Sequence, residues 1–259
     1  MFIEINNLID VKQTERINGW FAGISESTVE GSFLVHHFLS HSFKSSTPVC
    51  FVALSQSFGH YNVISQKFGT NLSTQKETNK LVFVEGLKLL GNTCCKDCDK
   101  GDNSVDDKSV LINLLQSIST SYKDLKEKNC CSPTIIIDNI SVLIALGFST
   151  KDVITFCHYL HEVIHEDIGE KGCLVLYANN GKHNGDEQMK IVWNWMCHNC
   201  TVTMEVSGLP TGYCKDVHGE IAVKHRHSLT KPGKERRMQY KLTDKNIILF
   251  AAGMSSAVL

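Results

Sequence analysis

Proline is scarce, four residues in 259, which excludes a proline-rich linker or recognition tract. A charge excess of one sign is missing too. Lys plus Arg number 26 and Asp plus Glu 27, a net of -1, so nothing global points to nucleic acid or membrane. Long apolar runs are also absent. The longest stretch, Thr134 to Phe148, is interrupted by Asp138 and Asn139, and no membrane-spanning helix is expected. Met1 to Asn7 carries Glu4 and is soon followed by Asp10 and Lys12, unlike a basic secretory leader. Cysteine, by contrast, is plentiful. The eleven residues are odd in number and, without a secretory signal, are expected as reduced thiols of an intracellular chain. Hydrophobic residues at 42% and charged residues at 20% fit a globular chain and exclude a wholly disordered one.

Short apolar runs alternate with helix-like segments. Gly19–Ile24, Pro48–Leu54, Lys80–Val84, Pro133–Asp138 and Cys173–Tyr177 read as buried strands. His60–Lys67, Leu111–Leu125 and Lys151–Ile168 read as helices, the second with Leu111, Leu114, Leu115, Ile118 and Tyr122 on one face. That rhythm predicts one α/β domain over 1–259 with a mainly parallel sheet. After Cys200 the helices cease. Thr201–Val206, Glu220–Lys224, Gln239–Leu242 and Asn246–Phe250, separated by turn residues, predict a C-terminal antiparallel β-meander. Asn92–Lys108 and Asn179–Asp186 are polar and are expected to be flexible insertions. No internal repeat is found.

An α/β sheet binds ligands at the carboxyl ends of its strands. After the first strand comes the loop Ser25–Gly31, and a helix is expected from Ser32. Phosphate loops share that layout, G-x-x-x-x-G-K-S/T. If Gly31 is the second glycine, Glu26 stands at the first, Ser32 at the lysine and Phe33 at the hydroxyl. A phosphate needs the lysine charge, open backbone amides and a magnesium-holding hydroxyl. This loop offers Glu26 and Glu30 instead, like charges that disfavour an anion. Asp138, after three isoleucines, has the form of a Walker B carboxylate. It is read as a relic of a nucleotide fold, the alternative being a cap on the turn into Asn139. No bound cofactor is expected.

Glu30–Ser40, Cys50–Tyr61, Gly208–Gly219 and Gly253–Leu259 closely resemble the family of the sixth Elongator complex protein, over nearly the whole chain and least at Asn92–Lys108. The resemblance implies a RecA-like, P-loop-NTPase fold. It also implies a heterohexameric ring with the fourth and fifth Elongator proteins, two copies of each, attached to the catalytic Elongator subcomplex. That ring binds tRNA and supports carboxymethyl-type modification of wobble uridine 34, in the cytoplasm or also the nucleus. RecA-type ATPases carry a glutamate near the end of the strand after the phosphate loop, and the comparable Ala53–Ser57 has no carboxylate. Without lysine and glutamate, a water lacks its general base and a leaving phosphate its counter-charge. A non-catalytic subunit is therefore expected, with an active ATPase on a degenerate loop as the rival.

Two further patterns compete. His161-Glu162-Val163-Ile164-His165 matches the H-E-x-x-H zinc signature. The histidines, however, lie at the polar edge of the stripe Val153, Phe156, Cys157, Leu160, Val163 and Ile164, and no third ligand is evident, so an exposed helix flank is preferred to a zinc hydrolase. Cys94, Cys95 and Cys98 with Cys130, Cys131, Cys197, His198 and Cys200 do not form paired zinc knuckles. Loop thiols at 94–98 and small buried residues at 130 and 197 are expected, and no metal. From Lys224 to Lys241 stand Lys224, Arg226, Lys231, Lys234, Arg236, Arg237 and Lys241 against Glu235, a local +6 that leaves -7 for the rest. Such a footprint suits phosphate, and equally a solvated loop or a salt-bridged partner contact. No aromatic cluster accompanies it, which argues against base-specific reading. Phe33, Phe38 and Phe58 flank the loop as candidates for subunit packing or for the core.

Overall fold

The structure, a computed structural model, describes residues 2–97, 107–165, 171–182, 185–210, 212, 214–226, 235–243 and 246–251, with backbone alone at 92–97 and 107. The strands are β1 (Phe21–Glu26), β2 (Val49–Val52), β3 (Leu81–Val84), β4 (Thr134–Ile137), β5 (Cys173–Asn179), β6 (Val202–Ser207), β7 (Gly219–His225), β8 (Glu235–Leu242) and β9 (Ile247–Phe250). They join in one sheet of order β3-β2-β4-β5-β1-β6-β7-β8-β9. Pairing is parallel from β3 to β6 and antiparallel from β6 to β9. The α/β class and the meander expected from the sequence are both present.

Burial explains which strands read as continuous apolar runs. In β1, β4 and β5 nearly every residue is buried, because helices cover both faces of a parallel sheet. Ile135, Ile136 and Ile137 have no exposed surface, and each contributes about 1.5–3 kcal/mol by leaving water. In β6 burial alternates. Val202, Met204 and Val206 turn to a covered face, and Thr203, Glu205 and Ser207 to a solvated one.

Helices α1 (Ile3–Leu8), α2 (Phe33–Lys44), α3 (Phe58–Lys67) and α4 (Leu72–Glu77) carry apolar residues that pack on one face with Ile24, Phe51 and Tyr177. Helices α5 (Gly86–Asp97), α6 (Asp107–Asn129), α7 (Ser141–Ala145), α8 (Thr150–Val163) and α9 (Glu187–Asn199) lie on the other face with Phe21, Val52 and Leu176. α2 is buried from Leu34 through Ser42, so it shows little amphipathic contrast. α9 approaches β1 closely: a Cβ on Gly23 would lie 2.8 Å from Cys200 Sγ and 3.1 Å from Met196 Cε.

Several sequence expectations shift. β1 begins and ends two residues later than read, because its edges pair through Glu26 with Asn179 of β5 and Val206 of β6. Glu26 thus ends the strand and is not part of the loop. Between 92 and 108, α5 runs to Asp97 and α6 starts at Asp107; the remainder of that expected insertion lies outside the described residues. Asn179–Asp186 is a hydrogen-bonded connection where described. Asn179 Oδ1 accepts from Gly181 N at 2.7 Å, Asn180 Oδ1 from Lys182 N at 3.0 Å, and Asp186 Oδ1 caps α9 through Met189 N at 3.1 Å. Such Asx turns suit Asn followed by glycine.

Phe38 is 1% exposed, so it belongs to the core. Phe33 packs on Phe2 and Tyr240, and Phe58 on Phe83. All three rings serve packing within the domain.

Candidate functional site: a cleft closed by its own carboxylates

The connections leaving β1 and β2 enter α2 and α3 on one face, whereas those leaving β4 and β5 enter helices of the other. Their carboxyl ends therefore part around a crevice, the place where open α/β sheets bind ligands. Here a cleft of about 270 Å³ is lined by Glu26, Glu30, Ser32, Val35, His36, Ser55, Gln56, Tyr61, Asp138 and Tyr177 among others. The sequence placed Glu26, Glu30, Ser32 and Asp138 together; the fold adds Tyr177, Tyr61, Ser55 and His36. Tyr177 closes the apolar run Cys173–Tyr177 within β5, a visible signal. Tyr61 and His36 sit on helices, where no spacing marked them.

The loop's hydrogen bonds are internal. Gly31 N donates to Glu26 Oε2 at 2.9 Å, and the Tyr177 hydroxyl donates to the same oxygen. Ser32 Oγ donates to Glu30 Oε1 at 2.5 Å. Leu34 N and Val35 N close short turns onto Gly31 O (3.1 Å) and Ser32 O (2.9 Å). The Gly31 amide that a phosphate would require is thus directed at the chain's own carboxylate. A Cβ on Gly31 would lie 3.2 Å from Val206 Cγ2, so its small size lets the loop close on β6. Burial, then the Glu26 carboxylate, holds the Tyr177 hydroxyl far above its ordinary pKa, protonated and donating.

Asp138 is 2% exposed. Its Oδ1 accepts from Leu54 N at 2.7 Å. Its Oδ2 accepts from Ser55 N at 3.0 Å, Ser55 Oγ at 2.9 Å, Tyr61 OH at 2.8 Å and, more weakly, Gln56 N at 3.4 Å. It clamps the end of β4 to the loop after β2, the stretch in which the sequence lacks a carboxylate. The alternative reading as a cap on Asn139 is replaced: Asn139 Oδ1 makes its own turn with Ser141 N at 3.0 Å. Burial first, then Asp138, raises the Tyr61 hydroxyl far above its ordinary pKa.

Beneath the cleft, burial and the neighbouring His60 lower His36 to about 4. His37, wholly enclosed, is lowered well below the usual histidine range, first by burial. Its Nδ1 accepts from Phe2 N at 3.2 Å.

The rival sites do not assemble. His161 and His165 have ring centroids 4.2 Å apart, but His165 Nδ1 lies 3.0 Å from the His161 carbonyl oxygen and His161 packs on Phe21 at 5.1 Å. Among the described residues no three His, Cys, Asp or Glu side chains are placed to hold a metal ion. The side chains of Cys94, Cys95 and Cys98 lie outside those residues. Cys130 and Cys197 are exposed, against expectation. Cys130 takes φ +53° just past the end of α6, a left-handed cap position, and after α9 it is Cys200, its C-cap, that turns to the core. Cys50, Cys157 and Cys173 are buried, and burial pushes their thiols up to about 12.

The basic stretch divides. Arg236 shares the covered sheet face with Met238 and Tyr240; its Nη1 donates to Leu8 O at 3.1 Å and Asp10 Oδ1 at 2.7 Å, tying α1 to β8. Arg237 faces the other way, paired with Glu235 at 2.6 Å and Glu220 at 3.2 Å. Lys241 pairs with Asp216 at 2.6 Å. Lys224 and Arg226 lie near the end of β7 with no ion pair among the described residues; Lys231 and Lys234 are outside them.

A family model described as Elongation complex protein 6 matches residues 2–244. The chain belongs to the Elongator complex protein 6 family. The frog Xenopus laevis member is 36% identical and the human one 34%, each over the full length of both chains; the Drosophila melanogaster member is 24% identical over 92% of each. Among solved structures, a KaiC-like protein from the archaeon Pyrococcus horikoshii superposes with TM-score 0.57 at 13% identity, covering 90% of each chain. That likeness identifies the fold as RecA-like. No helix among the described residues is long and apolar enough to cross a membrane.

Proposed function

We propose that this chain is an architectural, non-hydrolysing member of its complex. Its RecA-like domain takes a place in a heterohexameric ring with the fourth and fifth Elongator proteins. That ring binds tRNA in the cytoplasm, and also in the nucleus, and supports carboxymethyl-type modification of wobble uridine 34 by the catalytic Elongator subcomplex. ATP turnover by the ring then depends on the partner subunits.

One observation carries the non-hydrolysing part: Glu26 occupies the Gly31 amide that a phosphate would need. A bound triphosphate would have to break that bond and the Tyr177 bond and then sit against two carboxylates without a lysine. Titration calorimetry of the full chain with magnesium ATP is expected to show no binding heat; tight magnesium-dependent uptake overturns the reading. Co-expression with both paralogues followed by mass determination is expected to give a six-subunit assembly, and a chain that stays monomeric beside them overturns the ring. For tRNA, Lys224 and Arg226, which have no ion pair among the described residues, are the residues to reverse. Changing both to Glu in the assembled ring is expected to weaken binding of all tRNAs alike and flatten its salt dependence. An unchanged salt slope refutes a tRNA contact at this edge.

A further inference from the structure

Helix α2 carries His37, Ser40 and His41 at positions i, i+3 and i+4, which share one face. They are 1%, 2% and 1% exposed, and none of them lines the cleft. Both histidines meet the N-terminal segment. Phe2 stacks on the His37 ring at 6.0 Å with the planes 6° apart, and the His37 and His41 rings stack at 6.2 Å.

The backbone of that segment fixes where each ring keeps its proton. Burial, first among the causes, holds both histidines below their ordinary pKa, so each is neutral near pH 7 and carries one N–H. His37 Nδ1 accepts from Phe2 N at 3.2 Å, so the His37 proton sits on Nε2. His41 Nε2 lies 2.9 Å from the Glu15 carbonyl oxygen, which can only accept. The His41 proton therefore also sits on Nε2, and its Nδ1 is a bare acceptor. His37 Nε2 and His41 Nδ1 are enclosed, and neither has a hydrogen-bond partner in the protein. One is a donor and the other an acceptor, on stacked neighbouring rings. Ser40 Oγ, able to be either, is a third such atom on this face. The next hydroxyls of the helix differ: Ser42 Oγ donates to Phe38 O at 3.0 Å, and Ser45 Oγ to Ser42 O at 3.0 Å. Polar atoms buried this deeply nearly always have a partner.

We propose that one ordered water molecule is held among His37 Nε2, His41 Nδ1 and Ser40 Oγ. It accepts from His37, donates to His41 and bonds to the Ser40 hydroxyl. Three partners are the usual number for a buried water. Two bonds of about 2.7–3.2 Å each span the gap between rings whose centroids are 6.2 Å apart. A metal ion does not suit the place. It would take the lone pair of His37 Nε2, move that proton to Nδ1, and set Nδ1–H against Phe2 N–H, donor against donor. The water completes the seat of the N-terminal segment: Phe2 and Glu15, on either side of α1 in the chain, set the two tautomers, and the water joins the rings they set. No atom of this site belongs to the cleft, so the inference is independent of the nucleotide reading.

A crystal structure of the full chain and spectra of the same chain with ¹⁵N-labelled histidine rings test it. A density peak about 2.7–3.2 Å from both His37 Nε2 and His41 Nδ1 is expected, with both rings protonated at Nε2. The His37 Nε2–H is expected to show a nuclear Overhauser cross-peak to a long-lived water. His41→Phe keeps a stacked ring but removes the acceptor, and is expected to weaken that cross-peak at least fivefold. Ser40→Ala, the gentler change should His41→Phe not fold, is expected to weaken it at least twofold. No density peak, a His37 proton on Nδ1, a direct bond between the two nitrogens, or a cross-peak indifferent to the substitutions overturns the proposal. A peak at about 2.0–2.1 Å from either nitrogen, the distance of a zinc ligand, overturns it as well.

Discussion

Replacing Asp138 by Asn tests whether that carboxylate is a clamp or a vacated cation ligand. Asp138 Oδ1 meets one donor, Leu54 N, and Oδ2 meets three close ones, from Ser55 N, Ser55 Oγ and Tyr61 OH. The Asn amide must turn its NH₂ to one side. Turned toward Leu54, it leaves one buried N–H facing another donor; turned the other way, it strands up to three. The cheaper orientation still loses one charge-assisted bond and makes the rest neutral. An orphaned buried donor costs about 1–3 kcal/mol, and bonds to a charged group are worth about 1.5–3 against 0.5–1.5 for neutral ones. Asp138→Asn is therefore expected to destabilise by about 3–5 kcal/mol, a large share of the roughly 5–15 kcal/mol that holds a domain together. Urea unfolding followed by tryptophan fluorescence measures it, with an unchanged m-value keeping the comparison clean. Tyr61→Phe, which removes one donor only, is expected to cost about 1–2 kcal/mol. A cation ligand predicts the opposite pattern. Without its metal, removing the charge is neutral or stabilising, and magnesium raises the stability of the unmodified chain alone. A loss below about 1 kcal/mol, or a magnesium effect abolished by the substitution, refutes the clamp.

Three other outcomes are expected. His36 titrates at about 4 when folded and His37 lies well below its ordinary value, both chiefly by burial, whereas both approach 6.5 when unfolded. The unfolded chain therefore binds more protons below pH 6.5. Stability is complete above that pH and falls toward pH 4, by about 1.4 kcal/mol per pH unit for each histidine. Denaturation midpoints that do not move between pH 7 and 5 contradict this, and His36→Gln is expected to make the slope shallower. Gly23→Ala, with its Cβ 2.8 Å from Cys200 Sγ, is expected to lose about 1–3 kcal/mol through overpacking. Adding Cys200→Ala should recover part of that in thermal melts, and strict additivity of the two losses would exclude the steric cause. Arg236→Ala is expected to cost about 1–2 kcal/mol by removing the bonds to Leu8 O and Asp10, with faster amide exchange across residues 3–8; exchange unchanged there rules out the tie.

What the sequence disclosed follows from how each element is buried. Strands covered on both faces, such as Ile135–Ile137, read directly as apolar runs. The apolar pattern marks β8 only from Gln239, because its first residues, Glu235 to Arg237, are charged. Arg236 nonetheless points to the covered face, where bonds to the end of α1 replace apolar contact. α1 itself is six residues, shorter than an isolated helix can sustain, so only packing makes it. α9 did carry a signal: Met189, Val192, Trp193 and Met196 are helically spaced and buried, behind the cap Asp186. In the site, the missing lysine was legible because it is a local fact. The bonds of Glu26 to Tyr177, 151 residues away, and of Asp138 to Ser55, 83 residues away, depend on strand order, which no local pattern encodes.

Strand order also explains why the cleft persists with changed chemistry. A crevice where connections diverge is a consequence of topology, and the amides at its rim need acceptors whether or not a ligand comes. A diffusible phosphate meets that need only at sufficient concentration and with cations to offset its charge. A carboxylate fixed at the end of β1 meets it at all times. Glu26 is held by Tyr177 as well as by Gly31, so a competing anion must break two bonds and then lie beside the charge it displaced. At 4 Å two like charges in a surface cleft repel by about 4 kcal/mol, a penalty of roughly a thousandfold in affinity. A glutamate at the end of β1, bonded to the Gly31 amide, therefore turns anions away while the topology keeps its crevice.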